Sequence, residues 1–264
     1  MLWLGIFFLV PLALVVAVSF STRGQPFSWE FTTKAWSTAL DSAKLPIYLR
    51  TLWFSLGATG VCLLLGFPAA WFIVRRSPRI RQVMYAMVLI PLVANSLVLV
   101  YAWKTLLANE GVVGEWLIQL QIGPDGNGIY NTRWASLVGM VYYYLPFMVY
   151  PIYTSLEKMD WRLLEAAADL GASSARQFWH VVLPLVWPGV ATGSILVFIQ
   201  SVGTFVIPDI LAGNKDLFMG KMINDQFLGS ARNWPLGAAM SLIAMAAISV
   251  ALVVYFKLQS RIEK

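Results

Sequence analysis

Glu165-Ala166-Ala167-Ala168-Asp169-Leu170-Gly171, continued through Val181 and Leu183-Pro184, reads as a short polar helix set between long apolar segments. Alanine has the highest helix propensity, and a glycine just past a helix supplies the left-handed residue that ends it. Leu163, Ala167 and Leu170 fall on one stripe at helical spacing, with Leu164 and Ala168 beside it. No bulky side chain on the alanine face holds a neighbouring backbone away. Such a helix either packs on its own domain or seats in a groove of another protein.

The chain around it belongs in a bilayer. Of its 264 residues 59% are apolar and only 12% are charged, with a mean hydropathy of +0.69. A soluble core cannot bury that much apolar side chain, whereas lipid solvates it. The twelve Trp and ten Tyr are residue types that gather at membrane interfaces. The net charge of +6 sits in short clusters beside apolar runs, a pattern of membrane topology rather than of nucleic-acid binding. Cys62 is the single cysteine, so the chain forms no internal disulfide and no cysteine-based zinc site. His180 is the single histidine, placed where the polar helix meets the next apolar run, and is read as a polar interface residue.

Apolar runs predict spans at about 2–20, 51–74, 83–107, 135–156, 181–211 and 236–256. Arg75, Arg76, Arg79 and Arg81 crowd the turn after the second span, which places that turn in the cytoplasm. Counting spans from there puts both termini and the polar segment at about 157–180 inside the cell. Ser174 and Gln177 have the spacing of a capping box that restarts a helix before the fifth span. Loops at 21–50, 108–134 and 212–235 then face outward, the first with a short interfacial helix, and the basic tail 257–264 faces inward. No glycine-rich loop ends in Gly-Lys-Ser/Thr, so an ATP site on this chain is not expected. No catalytic constellation or metal cluster is visible either, and the chain reads as a non-enzyme.

The spacing of the opening stretch resembles the signature loop of ABC importer permeases. Glu-Ala-Ala is followed by three residues and Gly171, then nine residues, the aliphatic Val181, one residue and Leu183-Pro184. The resemblance implies an all-α membrane protein with the six-helix type I ABC importer permease fold, a single permease domain over 1–264. It implies that Glu165, Ala166, Ala167, Asp169, Gly171, Leu183 and Pro184 belong to a cytoplasmic coupling helix and its flank, which dock on a separate ATP-binding subunit. Two such subunits would carry ATP and Mg, a second and different permease would complete the pore, and an external binding protein would deliver solute. The chain itself would bind no cofactor, would lie in lipid of the bacterial cytoplasmic membrane, and would bind no nucleic acid. Glu165 is read either as a contact to the ATPase or as a charge on the first turn of its own helix.

Nearly the whole length also resembles the spermidine/putrescine permease branch. The stretches are Ile90-Pro91 with Asn95-Ser96-Leu97 and Tyr101, Leu145-Pro146-Phe147-Met148-Val149 through Ser155-Leu156-Glu157-Lys158, Leu163-Leu164-Glu165 to Ala172-Ser173, and Asn233-Trp234-Pro235 with Gly237-Ala238-Ala239. A polycation is held by carboxylates and aromatic faces. Candidate pathway residues are therefore Asp209, Tyr101, Trp103, Tyr142, Tyr143, Tyr144 and Asn95. Asp209 has a second reading as a helix-end acid in the external headgroup layer, and the tyrosines have one as an interfacial belt. Rival readings are import of ferric iron, sulfate, phosphonate or thiamine by the same class, or an ATP-independent channel or secondary transporter.

Overall fold

The computed structural model describes residues 2–22, 31–213, 217–229 and 232–262. Part of the first external loop and the last two residues of the basic tail lie outside the described residues. The helices in chain order are α1 (Leu2–Ser19), α2 (Lys34–Ala39), α3 (Leu45–Val74), α4 (Pro78–Val93), α5 (Ser96–Leu107), α6 (Val112–Gln119), α7 (Arg133–Glu157), α8 (Arg162–Asp169), α9 (Ser174–Gln177), α10 (Leu183–Gly203), α11 (Val206–Leu211), α12 (Met219–Leu228) and α13 (Trp234–Ile262). A five-residue π-helix, Phe178–Val182, joins α9 to α10 without a break.

Among the described residues, four stretches are long and apolar enough to cross a membrane: Leu45–Val74, Arg133–Glu157, Ser174–Gly203 and Trp234–Lys257. The helix Pro78–Val93 and the one starting at Ser96 form a fifth, sharply bent candidate, and the apolar helix Gly5–Ser19 is shorter. Together these are compatible with six spans. The bend falls at Ala94-Asn95, where Ala94 is extended and the Asn95 carboxamide oxygen accepts the Leu97 N–H at 2.9 Å. The run predicted at 83–107 is thus two helices, because an asparagine side chain there offers the backbone an alternative partner.

The fifth run is also displaced from 181–211. It begins at Ser174 and ends at Gly203, and α11 is a separate short helix after it. The run is thus interrupted, as a stretch too long for one straight crossing and carrying Gly203 and Pro208 leads one to expect. A Cβ on Gly220 of α12 would lie 2.3 Å from the Thr204 carbonyl oxygen, so α12 approaches the break backbone to backbone.

By packing, the chain divides into two compact units. One comprises residues 1–54, 106–136 and 202–251. Its core includes Ala35, Ala39, Tyr48, Met219, Ala239 and Met240. The Tyr48 hydroxyl donates to the Ala39 carbonyl at 2.7 Å, and the Met219 N–H donates to the Thr51 hydroxyl at 3.0 Å. Phe54 meets Phe218 edge-on at 5.5 Å. The stretch 212–235, read as a loop, therefore contains a packed helix.

The other unit comprises 55–105, 137–201 and 252–264, and α7 is its centre. Met148, Ile152 and Leu156 of α7 are fully buried. Glycines let its neighbours close in: a Cβ on Gly66 of α3 would lie 2.9 Å from Met148 Cγ, and one on Gly193 of α10 would lie 2.9 Å from Met148 Sδ. Small residues at the crossing points are how membrane helices gain packing contact where lipid provides no hydrophobic drive.

Candidate functional site

The segment between α7 and α10 is built by local rules. Asp160 Oδ1 accepts the Arg162 N–H at 3.0 Å and opens α8. At the other end the Ala172 N–H donates to the Ala167 carbonyl at 3.0 Å and the Gly171 N–H to the Ala168 carbonyl at 2.8 Å. With Gly171 at φ +81°, this pair of bonds is a Schellman stop. None of the α8 residues is buried, and Leu170 just beyond it is 89% exposed. The apolar stripe of this helix therefore has an open side.

The capping expected at Ser174 falls one residue earlier. Ser173 has the extended backbone of a cap (φ −64°, ψ 157°), and its hydroxyl accepts the Arg176 N–H at 3.5 Å. Gln177 instead turns back, its amide donating to the Ala172 carbonyl at 2.9 Å. Two adjacent serines left the register ambiguous in the sequence. His180 is exposed, and its Nδ1 lies 3.1 Å from the Arg176 carbonyl, so the ring serves the backbone of this junction.

Behind the segment, Glu157 at the end of α7 is held twice. Arg81 of α4 reaches its Oε1 at 3.3 Å, and the Tyr153 hydroxyl donates to the same oxygen at 2.9 Å. Tyr85 stacks on Tyr153 with centroids 4.8 Å apart. In the sequence Arg81 is legible only as a topological charge, because its partner lies 76 positions away (81 to 157) on a different helix.

The pathway candidates are distributed over both units. Asp209 stands in the first turn of α11, with its carboxylate 47% exposed and 2.6 Å from the ammonium of Lys221 on α12. Lys221 is itself only 13% exposed in its side chain, and no sequence signal marked it. In the other unit, Trp103 meets Tyr142 edge-on at 5.3 Å, and Tyr101 is exposed with the Lys104 ammonium 6.0 Å from its ring. Successive tyrosines point to different sides of α7: Tyr142 is exposed, Tyr143 half-buried, and Tyr144 is buried with its hydroxyl donating to the Gln200 carbonyl at 3.2 Å. Asn95 is exposed, and its carboxamide caps α5.

A family described as the binding-protein-dependent transport system inner membrane component matches residues 62–264. The chain belongs to this family. The permease is 38% identical over 261 residues to the spermidine/putrescine transport system permease protein PotB of Haemophilus influenzae, covering 97% of this chain and 90% of the relative. It is 36% identical over 264 residues to the Escherichia coli PotB, covering 99% and 96%. Among solved structures, a bacterial alginate ABC transporter in complex with its pentasaccharide-bound periplasmic protein aligns with a TM-score of 0.73 at 18% identity, over 100% of this chain and 92% of the other. That likeness establishes the fold. The permease is thus an all-α inner membrane subunit of the ABC importer type, as its signature loop implied.

Proposed function

We propose that this permease forms, with a second permease, the pore of an ATP-driven importer of polyamines, fed by an external binding protein and driven by two ATP-binding subunits docked on α8. The observation that carries the substrate reading is the end-to-end likeness to the spermidine/putrescine permeases, which is not confined to the signature loop. The open stripe of α8 supports the docking: a helix with no buried residue and an almost fully exposed Leu170 presents apolar surface to a partner. Both termini face the cytoplasm in this reading, and ATP and Mg belong to the partner.

The Glu165 carboxylate has no hydrogen-bond or ion-pair partner among the described residues, which leaves it for the ATPase. Glu165→Lys is expected to weaken ATPase binding to the purified permease pair about tenfold, the order of loss when an interfacial charge is set against its partner. Unchanged binding, read by co-purification, removes Glu165 from the interface.

The solute is tested on the assembled importer in proteoliposomes, with its binding protein and labelled spermidine outside and ATP within reach of the ATPase. ATP-dependent spermidine uptake is the expected result. A binding protein that purifies with sulfate, a phosphonate, ferric iron or thiamine, and no uptake of spermidine, overturns the polyamine reading. Asp209→Asn is expected to lower spermidine uptake about tenfold, since it removes the carboxylate that offsets the Lys221 ammonium and makes the site more positive toward a passing polycation. Exchanging the charges (Asp209→Lys with Lys221→Asp) separates pairing from position. It is expected to leave uptake low, whereas full recovery assigns Asp209 to the ion pair alone.

A further inference from the structure

The end of α3 and the coupling segment enclose a cleft of about 410 Å³. Phe67, Pro68 and Trp71 line it from α3 and Arg75 from just past its end, with Leu164, Phe178 and Val182 on the other side and Ser174 and Gln177 at its polar edge. Phe67 and Phe178 meet edge-on at 5.4 Å and make its floor apolar and aromatic. Its single charge is cationic. The Arg75 guanidinium lies 5.3 Å from the Trp71 ring and 6.0 Å from that of Trp161. Ring contacts of this kind use none of the guanidinium N–H hydrogens, which stay available to oxyanions. No carboxylate pairs with Arg75 among the described residues.

Depth supplies the second constraint. The candidate span of α3 ends at Val74, so Arg75 is the first residue past the apolar run, at the level of lipid headgroups. Tryptophan rings beside it suit the same layer. Arg76 and Arg79 follow within one turn, and such clusters beside a span attract anionic lipid.

We propose that this cleft holds an anionic phospholipid, its phosphate on the N–H edge of Arg75 and its glycerol and first acyl carbons against Phe67, Pro68 and Phe178. The bilayer source fits better than a soluble phosphate, because most of the lining side chains are apolar and a free phosphate would leave that surface wetted. The bound lipid ties α3 to the coupling segment, so headgroup charge tunes how firmly α8 is carried by the spans. This inference rests on the chain being a membrane permease and is independent of which solute it moves.

The test uses the assembled importer in nanodiscs of equal parts phosphatidylcholine and phosphatidylglycerol, extracted mildly and read by native mass spectrometry. Wild type is expected to retain phosphatidylglycerol in preference to phosphatidylcholine, and excess inorganic phosphate is expected not to displace it. Arg75→Gln is expected to lower retention about five-fold, in keeping with the contribution of one basic residue at an anionic surface. Arg79→Gln, in the same basic cluster but outside the cleft lining, is expected to lower retention less than Arg75→Gln does, and an equal loss overturns the proposal. Equal retention by Arg75→Gln, no preference between the two lipids, or displacement by phosphate each overturns the proposal. Loss of the ATP-binding subunits from Arg75→Gln with lipid retention intact also overturns it, and assigns the cleft to the protein interface. If Arg75→Gln does not assemble, Trp161→Leu unstacks the guanidinium while keeping its charge. A smaller loss of phosphatidylglycerol is then expected, and undiminished retention overturns the proposal.

Discussion

An importer assembled with Gly171→Val is expected to lose at least about tenfold in solute uptake while its ATPase subunits still turn over. At Gly171 the backbone has φ +81°, yet nothing lies within 4 Å of a Cβ built there. The substitution therefore meets no steric obstacle and probes backbone conformation alone. An L side chain in the left-handed region costs about 1–2 kcal/mol, and a β-branched one more. Since about 1.4 kcal/mol is a factor of ten in an equilibrium, the balance shifts about tenfold or more toward the open stop, in which the two bonds from Gly171 and Ala172 back into α8 are lost. The helix proposed to seat on the ATPase then has no fixed end. Gly171→Asn is the control, because asparagine tolerates this region. It is expected to keep most of the uptake. Parallel measurement of uptake and ATP hydrolysis in the same proteoliposomes decides the matter, and wild-type uptake by a fully inserted Gly171→Val permease refutes it.

Gly189→Val is expected to have the largest effect on stability, and by the opposite mechanism. There the backbone is ordinary helix, but an added Cβ would lie 2.3 Å from Ser155 Oγ and 2.5 Å from the Pro151 carbonyl oxygen. A side chain can rotate away, whereas the carbonyl belongs to α7, whose residues Met148, Ile152 and Leu156 are fully buried. The crossing of α10 on α7 must widen, at a cost of about 1–3 kcal/mol or more for an overpacked contact. Thermal unfolding of the purified permease is expected to shift down by several degrees, with much of the protein aggregated on extraction. Gly57→Ala, where nothing lies within 4 Å of the added Cβ, is expected to raise stability slightly by removing backbone freedom from the unfolded chain. A Gly189→Val permease as stable as wild type refutes the close crossing.

Composition and short-range spacing were enough to specify the fold class and the short helix that Gly171 ends. Apolar content demanded a bilayer, and the run of alanines closed by Gly171 specified a helix with a left-handed stop. The spacing from Glu165 to Leu183-Pro184 specified the family loop, because its elements lie close together along the chain. Where local signals competed, boundaries slipped by between one residue and about two turns. Ser173 took the cap from Ser174, Asn95 split a continuous apolar run, and the fifth run began at Ser174 rather than at Val181. Which charges meet was settled by the packing of the helices and by nothing along the chain. Asp209 was readable as an acid near the membrane, but its neutralisation by Lys221 was not. The pairing of Arg81 with Glu157, and the cleft where Arg75 lies against Trp71 and Trp161, were equally hidden. Ion pairs and clefts join residues from separate helices, and their geometry depends on how those helices cross. No periodicity along a single chain records that.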